Sequence, residues 1–238
     1  MTLAFLEVSL IGFALGAAGM AAATRRVEAS IARQRWLKFA VFFVIVHAVL
    51  VAAALGSGAL RALYLLLWAC CVQEAVGAWR LLAAPRPRRV LLVGLALVLL
   101  AIWATLHHEA SSLVWCFMTV ACADGFAQVT GQLAGRRPLA ARLSPAKTLE
   151  GAVGGIVAAV VASVALRASV ALGVAAAAAW GAALALAGLA GDLAASWLKR
   201  RAGLKDYSAA LPGQGGFLDR FDSLIAAVAL LAMPGAPL

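Results

Sequence analysis

The sequence predicts an all-α, polytopic transmembrane helical protein of about eight spans with both termini outside. Three observations predict it. Of 238 residues, 65% are apolar and only 13% charged, against about 45–50% and about 25% in an average soluble domain, so polar residues are too few to cover a water-facing surface. The apolar residues, mostly Ala, Leu, Val and Gly, fall in runs of about 20, the length that crosses a bilayer as a helix. The basic residues fall in alternate connections between those runs.

In chain order the apolar segments lie at about 3–23, 37–56, 60–82, 90–107, 111–133, 149–166, 168–190 and 221–236. The first is too long for the core of a signal peptide and has no basic stretch before it, so it reads as a retained span. Arg25, Arg26, Arg33, Arg35 and Lys38 follow it, and Arg80, Arg86, Arg88 and Arg89 follow the third. Arg136, Arg137, Arg142 and Lys147 follow the fifth; Lys199, Arg200, Arg201, Lys205 and Arg220 follow the seventh. That puts 18 of the 20 basic residues on one side and leaves only Arg61 and Arg167 on the other. Positive charge is retained on the cytoplasmic side, so the four basic connections are expected there. The lack of a leader and this bias suit a bacterial inner membrane. The chain divides into N-terminal membrane helices (1–110) and C-terminal membrane helices (111–238), expected to form one integrated membrane domain.

The net charge of +10 does not indicate nucleic acid, because that needs a basic face on a soluble domain. Cys70, Cys71, Cys116 and Cys122 lie inside apolar runs without paired metal-ligand spacing, which reads as buried small residues.

The chemistry is expected in the two cytoplasmic connections of the C-terminal half. Asp124 and Asp192 sit in or at the end of apolar helices, where an ionised carboxylate costs about 2.5–3.5 kcal/mol on insertion scales and calls for a partner. That partner is either a basic residue of a neighbouring helix or a cation. Asp219 and Asp222, three apart, share one face at the start of the last span, as site residues or as helix-capping acids. Glu150 has the same two readings. Ser144, Lys147 and Thr148 precede a helix containing Gly151, Gly154 and Gly155; Lys199, Arg200 and Lys205 precede Gly213, Gly215 and Gly216. Exposed backbone N–H groups, helix N-termini and cationic side chains bind phosphate. Carboxylates repel it, so the combination implies Mg²⁺ between them. A basic rim on anionic lipid is the other reading of the Lys and Arg residues.

The run from Ser196 to Asp222, SWLKRRAGLKDYSAALPGQGGFLDRFD, resembles the signature of the phosphatidate cytidylyltransferase (CDP-diacylglycerol synthase) family over 27 residues without a gap. Upstream, Asp124, Gly131, Ser144, Pro145, Lys147, Thr148, Glu150, Gly151 and Gly154 resemble its pattern of a membrane Asp, a G-x-x-x-G and an S-P-x-K-T-x-E-G run. The likeness covers the C-terminal half; the first four spans match in hydropathy alone. One position departs: the signature has His where this chain has Gln214, which keeps hydrogen-bonding capacity but not acid–base capacity.

The resemblance implies transfer of a cytidylyl group from CTP to phosphatidate, giving CDP-diacylglycerol and pyrophosphate. It implies Asp192 and Asp219, then Asp222 and Asp124, as metal ligands, with two cations expected. Lys147 and Lys205 are expected to act with Asp192 and Asp219 at the reacting phosphates. Ser144, Thr148, Lys199, Arg200, Gln214, Gly215, Gly216 and Arg220 are expected to bind substrate. Expected partners are CTP, phosphatidate and membrane lipids, with a homodimer left open. Related CTP-dependent enzymes acting on another lipid phosphate or a polyprenol-type alcohol, and an inactive CDP-lipid-binding relative, remain alternatives.

Overall fold

A computed structural model describes residues 2–25, 27–82, 84–212 and 215–237. Eight α-helices follow the eight apolar segments: α1 (Thr2–Thr24), α2 (Ala29–Leu55), α3 (Ser57–Leu81), α4 (Pro85–His107), α5 (Ala110–Ala134), α6 (Leu149–Ala165), α7 (Val174–Arg201) and α8 (Phe217–Leu230). Among the described residues, α1 to α5 and α7 are long and apolar enough to cross a membrane. With 17 and 14 residues, α6 and α8 are shorter. At 1.5 Å per residue they reach about 25 and 21 Å, short of a hydrocarbon core of about 30 Å. Their counterparts at 149–166 and 221–236 are therefore helices, but not full-length spans by length alone.

The outer faces of the long helices carry exposed Leu3, Ile11, Leu15, Val44, Val51 and Leu99. Water solvates such a surface poorly and hydrocarbon solvates it well, so the molecule is a membrane protein. Inside, α5 is the central helix and contacts α1, α2, α3, α6, α7 and α8. Its small residues permit this, because backbones in a membrane approach closely where side chains are small. Gly155 faces the Ala123 carbonyl and the Ala127 side chain, Gly154 faces Thr130, and Gly151 lies against Gly131. These three glycines thus seat α6 on α5.

Helix α7 starts six residues later than its expected segment, because residues 167–170 form a 3-10 turn ending at Ala171 with φ of +52°. It then continues through its basic end to Arg201. Gly188 and Gly191 bring α7 onto α8: an added Cβ at Gly191 would stand 2.7 Å from the Asp222 carbonyl. The connection between α5 and α6 holds an antiparallel hairpin, β1 (Pro138–Ala140) and β2 (Ser144–Thr148), in register Pro138 to Thr148 and Ala140 to Ser144. It is a two-stranded addition to an all-α bundle.

Candidate active site

Four acids and their basic partners meet at one end of the bundle. Helix α8 starts there, and its first turn carries Asp219, whose carboxylate closes a capping box by accepting from Gly216 N at 2.8 Å. The same Oδ2 accepts from Tyr207 N at 2.7 Å, while Oδ1 takes the ammonium of Lys199, on α7, at 2.6 Å. Asp219 is only 3% exposed, so this pair is shielded from water. Gly215 has φ of +84°, a left-handed conformation that glycine adopts without strain.

One turn further on, Asp222 is buried. Its Oδ1 accepts from Ser223 N at 2.8 Å, and its buried Oδ2 has no hydrogen-bond partner among the described residues. An unpaired buried carboxylate oxygen is costly. Asp192, Asp124 and Lys199 are the charges that act on it. Asp192, on α7, is paired with Lys147 of β2 at 2.5 Å, at an angle outside hydrogen-bond geometry, and receives a long contact from Ser196 at 3.5 Å. Asp124, on α5, accepts from Ser223 Oγ at 2.8 Å and lies 3.9 Å from Arg220. The acids form a chain across α5, α7 and α8, each with a cation beside it or within electrostatic reach.

The chain does not make a ready-made nest: among the described residues no three acid, histidine or cysteine side chains are grouped as metal ligands. The donor set nonetheless fits a cation, because the Asp222 oxygen lacks a partner and carboxylates are the ligands Mg²⁺ takes. Asp192 lies within electrostatic reach of Asp222, whereas Asp219 is committed to Lys199 and to two backbone N–H groups.

The remaining expected residues are spread around this line. Thr148 is the N-cap of α6, its hydroxyl accepting from Gly151 N at 3.1 Å, and it packs on Gly131 of α5 and on Gly135, the C-cap of that helix. Ser144 is half-buried in β2. Glu150 accepts from Arg136 N and Arg137 N and pairs with the Arg137 guanidinium at 2.9 Å, so it clasps the start of the hairpin rather than joining the other acids. Arg200 donates to the carbonyls of Leu143 and Leu204, at 3.5 and 3.4 Å, and so ties the end of α7 to the hairpin. Lys205 is exposed and has no ion pair among the described residues. Gln214 and Gly213 lie outside the described residues.

Sequence reasoning missed Glu74. From α3, its Oε1 accepts from Ser208 Oγ at 2.6 Å and Phe217 N at 3.0 Å, and its Oε2 from Leu218 N at 2.8 Å. It therefore holds both Ser208, in the connection after α7, and the first turn of α8. A side chain at position 216 would overlap this carboxylate, which explains Gly216. The signal was available: Glu74 is a lone acid in an apolar run, and such residues in membranes are expected to have a partner. Tyr207 was also missed. Its hydroxyl donates to Ala195 O at 3.1 Å and Lys199 lies 5.6 Å over its ring. Burial, reinforced by Asp222, Asp219 and Glu74, pushes its phenol above the ordinary value, so it stays neutral.

A bundle of apolar helices with carboxylates and lysines gathered at one end defines a membrane protein with a charged site, and comparison with known proteins gives the family. Residues 3–234 match the sequence model of the cytidylyltransferase family, and the chain belongs to that family. It is 53% identical to a phosphatidate cytidylyltransferase of Pseudomonas aeruginosa over 113 residues, 46% of this chain and 42% of that protein. It is 39% identical to one of Brucella abortus over 127 residues, 53% of this chain and 47% of that protein. It is 36% identical to one of Haemophilus influenzae over 128 residues, 51% and 44%. The chain spans about half the length of the curated relatives it matches.

Proposed function

We propose that this protein is a phosphatidate cytidylyltransferase, converting CTP and phosphatidate into CDP-diacylglycerol and pyrophosphate in phospholipid biosynthesis. The observation that carries the reading is the line of three carboxylates, Asp192, Asp222 and Asp219, bounded by Lys147 and Lys199, with one oxygen of Asp222 unpartnered among the described residues. Such a line suits a substrate that is itself polyanionic and arrives with divalent cations.

Lys147 and Lys199 now neutralise Asp192 and Asp219. Were Mg²⁺ to take over the carboxylates, each lysine would be released within a side chain's length to contact phosphate oxygens, so the same residues would serve both states. Asp192, Asp222 and Asp124, with Asp219 on the flank, would hold the cations. Bound Mg²⁺ would supply charge neutralisation of the triphosphate and of the departing pyrophosphate. Arg200 and Lys205, on the exposed rim, would attract the nucleotide. The nucleophile is a phosphate monoester oxygen, largely ionised near neutral pH, so no dedicated protein base is required. The neutral Tyr207 holds Asp219 through its backbone N–H and is not such a base.

In this reading the eight helices are eight spans, with α6 and α8 short and α8 shielded by its neighbours. Both termini lie outside, and the site faces the cytoplasm of a bacterial inner membrane, in line with the 18-to-2 division of basic residues. The test is pyrophosphate release by the purified chain, with phosphatidate and Mg²⁺ each omitted in turn. Release that depends on both supports the reading; CTP binding without lipid-dependent release contradicts it and indicates a binding protein.

A further inference from the structure

Two observations single out Tyr207 beyond its backbone bond to Asp219. The Lys199 ammonium lies over its ring, 5.6 Å from the centroid, within the roughly 6 Å over which an aromatic face attracts a cation. Its hydroxyl donates to Ala195 O at 3.1 Å. Ala195 precedes Lys199 by four residues on α7, so the two share one side of that helix. Tyr207 is therefore tied at both ends, its backbone N–H to Asp219 of α8 at 2.7 Å and its hydroxyl to α7. Glu74 fixes the next residue by accepting from Ser208 Oγ. Turning the ring away from Lys199 breaks the hydroxyl bond.

These contacts close a circuit around the ammonium. Tyr207 N donates to Asp219 Oδ2, Asp219 Oδ1 takes Lys199 at 2.6 Å, and one turn of α7 leads back to the Ala195 carbonyl that holds the Tyr207 hydroxyl. The Lys199 side chain is only 12% exposed, so its attractions are weakly screened by water. Its ammonium has two seats of different kind, a carboxylate and an aromatic face, and they differ toward a polyanion. A carboxylate repels phosphate and is itself wanted by a cation. The ring of the neutral Tyr207 attracts the ammonium and adds no negative charge. Asp219 takes a single N–H of Lys199, which leaves donors for a ligand oxygen. Without the ring, an ammonium let go by Asp219 would be the loose end of a flexible stem.

We propose that Tyr207 is a positioning residue whose ring holds the Lys199 ammonium in place for a phosphate oxygen of the nucleotide once Asp219 turns to a divalent cation. The proposal rests on the reading of the acid line as a site for a polyphosphate with divalent cations. It gives the side chain at position 207 a task separate from that of its backbone N–H: the N–H orients Asp219, and the ring orients the lysine that Asp219 gives up.

Equilibrium binding of radiolabelled CTP, and separately of radiolabelled inorganic pyrophosphate, to the 238-residue chain in detergent with Mg²⁺ tests it. Tyr207→Leu, which removes the aromatic face, should weaken both probes by about fivefold to tenfold. Tyr207→Phe, which keeps the face, should weaken them by less than about threefold. Lys199→Ala should weaken them at least as much as Tyr207→Leu does. In the Lys199→Ala background the further effect of Tyr207→Leu should be less than about twofold, because a residue that acts through Lys199 then has nothing to act on. An undiminished effect in that background, as a merely structural role would give, overturns the proposal. So does unchanged binding in Tyr207→Leu, a loss in Tyr207→Phe as large as in Tyr207→Leu, or a wild-type chain that binds neither probe. If Tyr207→Leu does not purify as a folded protein, Tyr207→Met, whose flexible side chain adapts to the gap, gives the same comparison. Neither probe has to react, so failure of the cytidylyltransferase reading in the turnover assay would leave these binding differences intact.

Discussion

Replacing Glu74 by alanine removes three hydrogen bonds at once, those its two carboxylate oxygens accept from Ser208 Oγ, Phe217 N and Leu218 N. Two of the donors are the first backbone N–H groups of α8, which have no partner within the helix. Hydrogen bonds to a charged group contribute about 1.5–3 kcal/mol each, and loss of a helix cap costs about 0.5–2 kcal/mol. Water at the membrane edge will recover part of this, so a net local loss of about 2–4 kcal/mol is expected. The loss falls on the 202–216 loop and the first turn of α8, the segment that fixes Asp219 and Asp222, and not on the rest of the bundle. Hydrogen exchange measured by mass spectrometry should therefore accelerate about 30-fold or more, 2 kcal/mol being about that factor, for amides in residues 205–222. Amides of α5 and α6 should keep their protection. CTP turnover should fall in parallel. Glu74→Gln, which retains one acceptor oxygen but turns the other end into a donor facing an N–H, should lie between wild type and alanine. Unchanged exchange in 205–222 in Glu74→Ala would refute the reasoning, and so would a uniform increase across all helices.

Other outcomes follow from the same geometry. Asp192→Asn and Asp219→Asn should each reduce cytidylyl transfer by at least about 100-fold, about 2.8 kcal/mol in barrier, while the protein still inserts and purifies; most activity retained in either would remove that residue from the site. Gly191→Leu should separate α7 from α8, since even a Cβ would stand 2.8 Å from that of Ala226. It should lower stability by about 1–3 kcal/mol, read as the thermal midpoint in detergent, and a midpoint at the wild-type value would contradict the packing. Gln214→His should remain active if a polar side chain is all that position 214 requires, and kinetics with CTP as the varied substrate will tell. Thr148→Val removes the acceptor for Gly151 N. It should cost about 1 kcal/mol in the same thermal assay, and a rise in midpoint would contradict the capping role.

The eight helices were legible because each apolar run is long and each break is marked by charge, Gly or Pro. Their ends were less so. Around 168–191 the sequence is mostly Ala, Gly and Leu, so nothing local separates the turn at Ala171 from the helix that follows, and the basic end of α7 stays helical because its long side chains reach the membrane edge. The β1–β2 hairpin shows no alternation over 138–148; pairing of Pro138 with Thr148 and the clasp of Glu150 on Arg136 and Arg137 hold it, and those contacts are non-local. Among the candidate site residues, Asp124 and Asp192 were legible from cost alone, since a carboxylate in an apolar helix needs a partner; Asp219 and Asp222 were legible from their spacing at a helix start and from the signature they complete. Which cation partners which acid was not, because Lys147 and Asp192 come from different elements. Glu74 illustrates the limit most clearly. Its backbone partners are 143 and 144 residues away in the chain, so its role emerges only when α3 and α8 are packed together, although its position in an apolar run marked it as needing one.

Label transfer tests the account most directly. Supplied with phosphatidate and Mg²⁺, the purified protein should move radioactivity into a lipid product from CTP labelled at the α-phosphorus and leave the lipid unlabelled when the γ-phosphorus carries the label. Lipid labelled from the γ-position, or from neither, would contradict it.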